Sequence, residues 1–148
     1  AIFPLLLQEL GERARHATLV FGAATASELT LVDWFEQRCG RVVLATDDGT
    51  AGHHGLVTGP LVAELDALPA GARPLVCACG PTPMLRAVRT VCLERDLPGQ
   101  LALEAAMACG FGVCLGCVVE KAHPDGEFDR FVRVCQEGPV FEAREVIL

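Results

Sequence analysis

Four short runs of nearly unbroken apolar residues punctuate the first two-thirds of the chain: Thr18–Gly22 (TLVFG), Arg41–Thr46 (RVVLAT), Pro74–Cys79 (PLVCAC) and Gln100–Glu104 (QLALE). Runs of this length, bounded by turn residues and lacking strict alternation, predict strands covered on both faces. Between them the apolar positions recur at helical spacing. Leu61, Val62, Leu65 and Leu68 share one face, as do Met84, Leu85, Val88 and Cys92. Local signals place the helix starts: Thr25-Ala26-Ser27-Glu28 has capping-box spacing with Gly40 closing that helix, Thr58 stands as a cap, and Thr82 precedes Pro83. A further helix over about residues 4–15 precedes the first strand. Strand–helix alternation of this kind predicts an α/β fold built on a doubly wound parallel sheet, occupying residues 1–104.

From Ala105 the pattern changes. EAAMACGFGVCLGCVVE is rich in Gly and Cys, a polar turn follows at Pro124–Gly126, and FVRVCQEGPVF comes after it. Residues 105–148 are expected to form a small second module of loops and short strands.

Composition narrows the setting. Hydrophobic residues make up 51% and charged residues 21% of the 148, a globular balance. No apolar run approaches the roughly 18 residues of a membrane span. The opening AIFPLLLQEL lacks the basic start and cleavage signature of a secretory leader, and with no initiator Met it reads as the beginning of a fragment or processed chain. Net charge is −7, with no basic stripe, no Tyr and a single Trp, so no nucleic-acid partner is expected. Eight cysteines invite a disulfide scaffold. Cys39, Cys77, Cys79 and Cys92, however, lie in apolar strand-like and helix-like segments, where free thiols behave as small hydrophobes. A reducing cytoplasm is the expected location.

The remaining cysteines carry chemistry. Cys109, Cys114 and Cys117 form C-x4-C-x2-C, and Cys135 is the only cysteine beyond them. Three thiolates from one loop and a fourth from downstream is the spacing that holds a plant-ferredoxin-type [2Fe–2S] cluster. Such a loop must fold tightly enough to aim backbone N–H groups at sulfur, and Gly110, Gly112 and Gly116 permit that. Structural zinc and paired disulfides are the alternatives, although zinc sites usually carry two C-x2-C halves and only one is present.

Nucleotide-binding candidates are less specific. Gly22-Ala23-Ala24-Thr25 follows the first strand and opens a capped segment, a position suited to a pyrophosphate or to an ordinary βα turn. Cys79-Gly80-Pro81 ends the third strand, at the carboxyl edge where open α/β sheets bind ligands. Asp47 and Asp48 end the second strand, where a carboxylate can meet a ribose hydroxyl or serve only as a turn former. His53 and His54 sit in a Gly-rich loop without a metal-ligand pattern. No Ser/His/Asp arrangement emerges.

These residues carry a resemblance. CACGPTPM (Cys77–Met84) resembles the C-G-P-x-x-M motif of the ferredoxin–NADP reductase superfamily, where it lies beside the nicotinamide. LEAAMACGFGVCLGC and RVCQEGPVF resemble the electron-transfer subunit of two-subunit, NAD-linked dihydroorotate dehydrogenases. FGAATASEL and ATDDGTAGHHGLVTGPL look like that family's first βα turn and ribose-side loop. The resemblance implies that Gly22, Ala23, Ala24, Thr25, Asp47, Cys79, Gly80, Pro81 and Met84 contact NAD, and that the four cysteines ligate the cluster. It implies electron transfer from NADH through FAD and the cluster to the FMN of a catalytic partner subunit, in pyrimidine biosynthesis; orotate forms on that partner. The resemblance starts beyond the family's flavin-binding β-barrel, so FAD is expected of an intact protein rather than of these residues alone. Where members often carry Arg in E-x-R-M, this chain has Ala106. Another NAD(P)H-linked ferredoxin or sulfide oxidoreductase, and a zinc-stabilised interaction module, are the rival readings.

Overall fold

Each of the four apolar runs contributes a strand, and all but the last continue into a turn at their carboxyl ends. The computed structural model describes residues 2–126 and 129–148 and divides into two units, Ala1–Leu68 and Pro69–Leu148.

In the first unit, β1 (Thr18–Ala23) and β2 (Arg41–Thr46) pair in parallel from Thr18 opposite Arg41 to Ala23 opposite Thr46. The short β3 (His53–His54) adds to β2, also in parallel. The opening helix α1 (Ile2–Leu10) continues into a 3-10 segment to His16, close to the expected range. Its Leu7 joins Ala14, Phe35 and Cys39 in a buried cluster, with Phe21 and Trp34 packed edge-on around Phe35. Cys39 is thus a core thiol.

The capping box at Thr25 is not formed. Residues 26–28 make only a 3-10 turn, Leu31 adopts the left-handed conformation (φ 60°), and the helix proper, α2, is confined to Val32–Glu36. The two capping side chains are engaged elsewhere: Thr25 Oγ1 faces the Thr50 hydroxyl at 3.2 Å, and Glu28 Oε2 accepts from the Ala24 N–H at 3.2 Å. The helix α3 (Thr58–Asp66) starts one residue earlier than expected, with Val57 as its N-cap, and ends before Leu68.

In the second unit, β4 (Val76–Cys79) and β5 (Gly99–Ala102) pair in parallel, joined by α4 (Thr82–Glu94). Thr82 is the first helical residue rather than the cap, which falls on Pro81, so Pro83 occupies the second helical position. Proline is tolerated in this first turn because its missing N–H would find no partner there. Leu85, Val88 and Cys92 form the buried stripe of α4. The helix ends in a Schellman arrangement: Asp96 is left-handed (φ 53°), and the Leu97 N–H reaches the Cys92 carbonyl at 2.9 Å. β8 (Val140–Glu142) adds to β5 in antiparallel sense, an edge the sequence pattern did not predict.

The last sheet is antiparallel, with β6 (Val118–Lys121) between β7 (Phe131–Arg133) and β9 (Val146–Ile147). The fold is therefore mixed α/β, with parallel pairing in both units and an antiparallel module near the C-terminus. No helix among the described residues is long and apolar enough to cross a membrane.

Candidate metal centre

The β6–β7 hairpin decides where two of the cysteines go. Val118 pairs with Arg133, and the ladder continues one step further, with the Val134 N–H donating to the Cys117 carbonyl at 3.0 Å. Cys117 directly precedes β6 and Cys135 follows Val134, so antiparallel register brings two residues distant in sequence side by side. Their thiols are close enough that each shifts the other's titration. Cys117 is buried, and its thiol is pushed below the ordinary range by the Cys135 N–H first and by the Cys135 thiol next. Cys135 is pushed up, chiefly because it donates its proton to Cys117.

Cys109 and Cys114 form the second pair, within one loop. The Cys114 N–H points at the Cys109 sulfur at 3.5 Å, and the Gly116 N–H at the Cys114 sulfur at 3.4 Å. Backbone donation from Cys114, then from Phe111, lowers the Cys109 thiol to about 6. Left-handed backbone at Gly110 (φ 71°), Gly112 (φ 84°) and Leu115 (φ 57°) turns these N–H groups inward. Concave arrays of this sort bind anionic sulfur and phosphate.

Residues outside the cysteine spacing hold the loop in place, and the sequence reading missed them. Arg133 Nη1 donates to the Gly112 carbonyl at 3.5 Å, and Gln136 Nε2 to the Gly110 carbonyl at 3.3 Å. Gln136 also reaches the Cys135 carbonyl at 3.0 Å. A Cβ on Gly112 would lie 2.8 Å from Gln136 Cγ and 3.0 Å from Arg133 Nη1, so glycine is required there by space as well as by backbone conformation. The polar residues flanking Cys135 in RVCQE were the available signal.

The donor set fits an iron–sulfur core. Its thiols come as two pairs, 109 with 114 and 117 with 135, and each pair has one member whose thiolate is favoured. Among the described residues no three of His, Cys, Asp and Glu gather as a cage for a single metal ion.

The nucleotide candidates lie at strand ends, as expected, but several are already engaged. In the first unit, a Cβ on Gly22 would fall 1.9 Å from Val57 Cγ1, so its missing side chain serves packing. The Ala24 N–H donates to Glu28 Oε2 at 3.2 Å. Asp48 bonds the Thr50 hydroxyl at 2.6 Å and the Thr50 N–H at 3.0 Å, which holds its carboxyl below the usual range. Asp47 is exposed at the end of β2. In the second unit, Cys79 closes β4 opposite Ala102, and Met84 folds its thioether over Gly80, where a Cβ would meet the sulfur at 2.9 Å. Pro81 then caps α4. Cys92 is fully buried, and burial raises the thiols of both Cys92 and Cys77.

Comparison with known proteins agrees with the centre. Residues 104–147 match the iron–sulfur cluster binding domain of dihydroorotate dehydrogenase B. A curated electron transfer subunit of dihydroorotate dehydrogenase B (NAD(+)) from Caldanaerobacter subterraneus subsp. tengcongensis is 39% identical, over 99% of this chain and 55% of that protein. A homologue of that subunit from Aquifex aeolicus is 38% identical over 97% of this chain and 52% of its own length. The subunit from Desulforamulus reducens is 34% identical over 96% and 52%. The chain thus spans about half the length of the curated relatives it matches. Among solved structures, an NADH-dependent reduced ferredoxin-NADP oxidoreductase, described for flavin-based electron bifurcation, superposes with a TM-score of 0.69 at 27% identity. That match covers 89% of this chain and 44% of the other.

Proposed function

We propose, from its likeness to dihydroorotate dehydrogenase B electron transfer subunits along about half their length, that the chain carries electrons between a nicotinamide–flavin system and a partner enzyme. Cys109, Cys114, Cys117 and Cys135 would hold a [2Fe–2S] cluster. The observation that carries this reading is the pairing of the four thiols, with backbone N–H groups aimed at their sulfurs. When bound, the cluster supplies a one-electron couple between carriers that trade electrons in pairs.

The chain's own residues set the conditions for that couple. The loop N–H groups stabilise negative charge on sulfur, Arg133 and Gln136 fix the loop carbonyls, and buried Cys117 keeps one end of the site from water. Residues 1–104 form the nicotinamide domain, a doubly wound sheet in the intact fold, and residues 105–148 form the cluster module. Asp47 at the end of β2 in the first unit, and Cys79–Met84 at the end of β4 in the second, are the candidate NAD contacts of their respective units, and Asp47 favours NAD over its phosphorylated form. FAD belongs to the portion of the relatives that this chain does not span. The acceptor is the FMN of a dihydroorotate dehydrogenase catalytic subunit, in cytoplasmic pyrimidine synthesis. A second reading, a subunit of another NAD(P)H-linked ferredoxin oxidoreductase, is favoured by the solved neighbour.

Anaerobic visible and EPR spectra before and after dithionite, with iron and acid-labile sulfide assays, test the centre. Absorption that bleaches on reduction, a rhombic one-electron signal and two irons per chain are expected. A colourless, EPR-silent chain holding zinc would overturn the proposal. Orotate reduction by the chain reconstituted with its flavin portion and catalytic partner separates the two acceptor readings.

A further inference from the structure

We propose that Arg133 is a positioning residue for the cluster through its charge as well as its hydrogen bonds, and that Glu137 sets how much of that charge the cluster feels. This deepens the iron–sulfur reading and rests on it.

Arg133 ends β7, two residues before Cys135. Its backbone N–H donates to Glu137 Oε2 at 2.6 Å, and its Nε sits 3.1 Å from each Glu137 oxygen. Nη2 donates to Glu137 Oε1. Nη1 turns the other way, to the Gly112 carbonyl. One face of the guanidinium fork is therefore neutralised by a carboxylate, and the other lies against the cluster loop. The two side chains are 40% and 37% exposed, so their charges are only partly screened.

The guanidinium bonds the cluster loop directly at the Gly112 carbonyl, and Glu137 bonds that guanidinium from its other side. A latch needs only donors, and Gln136 already supplies one to Gly110 without any charge. The ion pair adds a cation near one pair of ligands and a carboxylate that tempers it. Reduction of the cluster adds one electron and one unit of negative charge, supplied by the reductant. A nearby cation favours that state and a nearby carboxylate opposes it.

The test compares the midpoint potential of the cluster, read by EPR during an anaerobic redox titration, in the parent chain, Arg133→Gln, Glu137→Gln and the double variant. At the parent's midpoint, Arg133→Gln is expected to lower the ratio of reduced to oxidised cluster about threefold, and Glu137→Gln to raise it by a similar factor. The double variant should fall between them. Arg133→Lys keeps the charge and loses the fork, so it should hold the parent's potential while releasing iron to a chelator faster. If Arg133→Gln fails to hold a cluster, Glu137→Gln and Arg133→Lys still decide the sign. Shifts in the same direction, or none at equal iron content, would overturn the charge role and leave the cluster assignment standing. A parent chain without labile sulfide would overturn both.

Discussion

The loop from Cys109 to Cys117 and the turn from Gly22 to Thr25 are both short, glycine-containing connections with inward-facing backbone N–H groups. Those groups meet different partners. In the loop, the N–H groups of Cys114 and Gly116 find only sulfur, and the loop is held from outside by Arg133 and Gln136. In the turn, the N–H groups of Ala24 and Ala26 are occupied by Glu28 and Thr50, and the space beside Gly22 by Val57. Similar composition thus serves a ligand in one place and internal closure in the other. A glycine-rich turn points to a bound anion only when its donors have no protein oxygen to satisfy them.

The largest expected effect tests the loop's side of this contrast. Cys135→Ser should remove nearly all cluster absorption and labile sulfide, because a site with three thiolates leaves one iron incompletely ligated. Cys77→Ser, in β4 beside Gln100, should leave iron content unchanged. Equal retention in both variants would break the pairing of Cys117 with Cys135 as a ligand pair.

Next in size is Gly22→Ala. A Cβ only 1.9 Å from Val57 Cγ1 cannot be accommodated without a shift in one of the two elements. Overpacking of this kind costs about 1–3 kcal/mol, measurable by urea denaturation without any nucleotide. Adding Val57→Ala should recover much of the loss. If Gly22→Ala instead leaves stability unchanged and weakens only NAD binding, glycine is there for the ligand and the contrast collapses.

Within the loop, Gly112→Ala and Gly110→Ala separate backbone strain from crowding. Both glycines have positive φ, so alanine costs about 1–2 kcal/mol at either. Only Gly112 faces neighbours, Gln136 and Arg133, while Gly110 has nothing within 4 Å. Gly112→Ala should therefore release iron to a chelator faster than Gly110→Ala. The reverse order would show that Arg133 and Gln136 do not hold the loop.

Legibility in the sequence followed the distance over which each feature is determined. The strands were readable because a run such as RVVLAT carries its own β preference and burial, and the ligand spacing because three cysteines sit in one loop. The latch was not, since nothing near Gly112 announces that Arg133, across the β6–β7 hairpin, will donate to its carbonyl. The Thr25 capping box failed for the same reason: Thr50, in another loop, faces the Thr25 hydroxyl, Glu28 turns to the Ala24 N–H, and Leu31 is left-handed before α2. At α4 the local signals were right but displaced by one residue, Pro81 rather than Thr82. The edge strand Val140–Glu142 was hidden because three residues give no periodicity, and its partner β5 lies in the region read as the other domain.

The smallest expected effect bears on the turn's closure. Asp48 orders Thr50 through two hydrogen bonds, and Thr50 in turn occupies the Ala26 N–H. These bonds favour the carboxylate, so the Asp48 carboxyl lies below the ordinary 3.8 in the folded chain. A carboxyl depressed on folding contributes stability that is fully present above its unfolded value and is lost as pH falls through the folded one. Asp48→Asn should therefore be slightly less stable than the parent at pH 7, with the difference shrinking below about pH 3.8. Urea midpoints at pH 7 and pH 3 measure it. A difference that persists undiminished at pH 3 would mean that the carboxylate's charge does not hold Thr50. The closure of the turn would then rest on neutral hydrogen bonds alone.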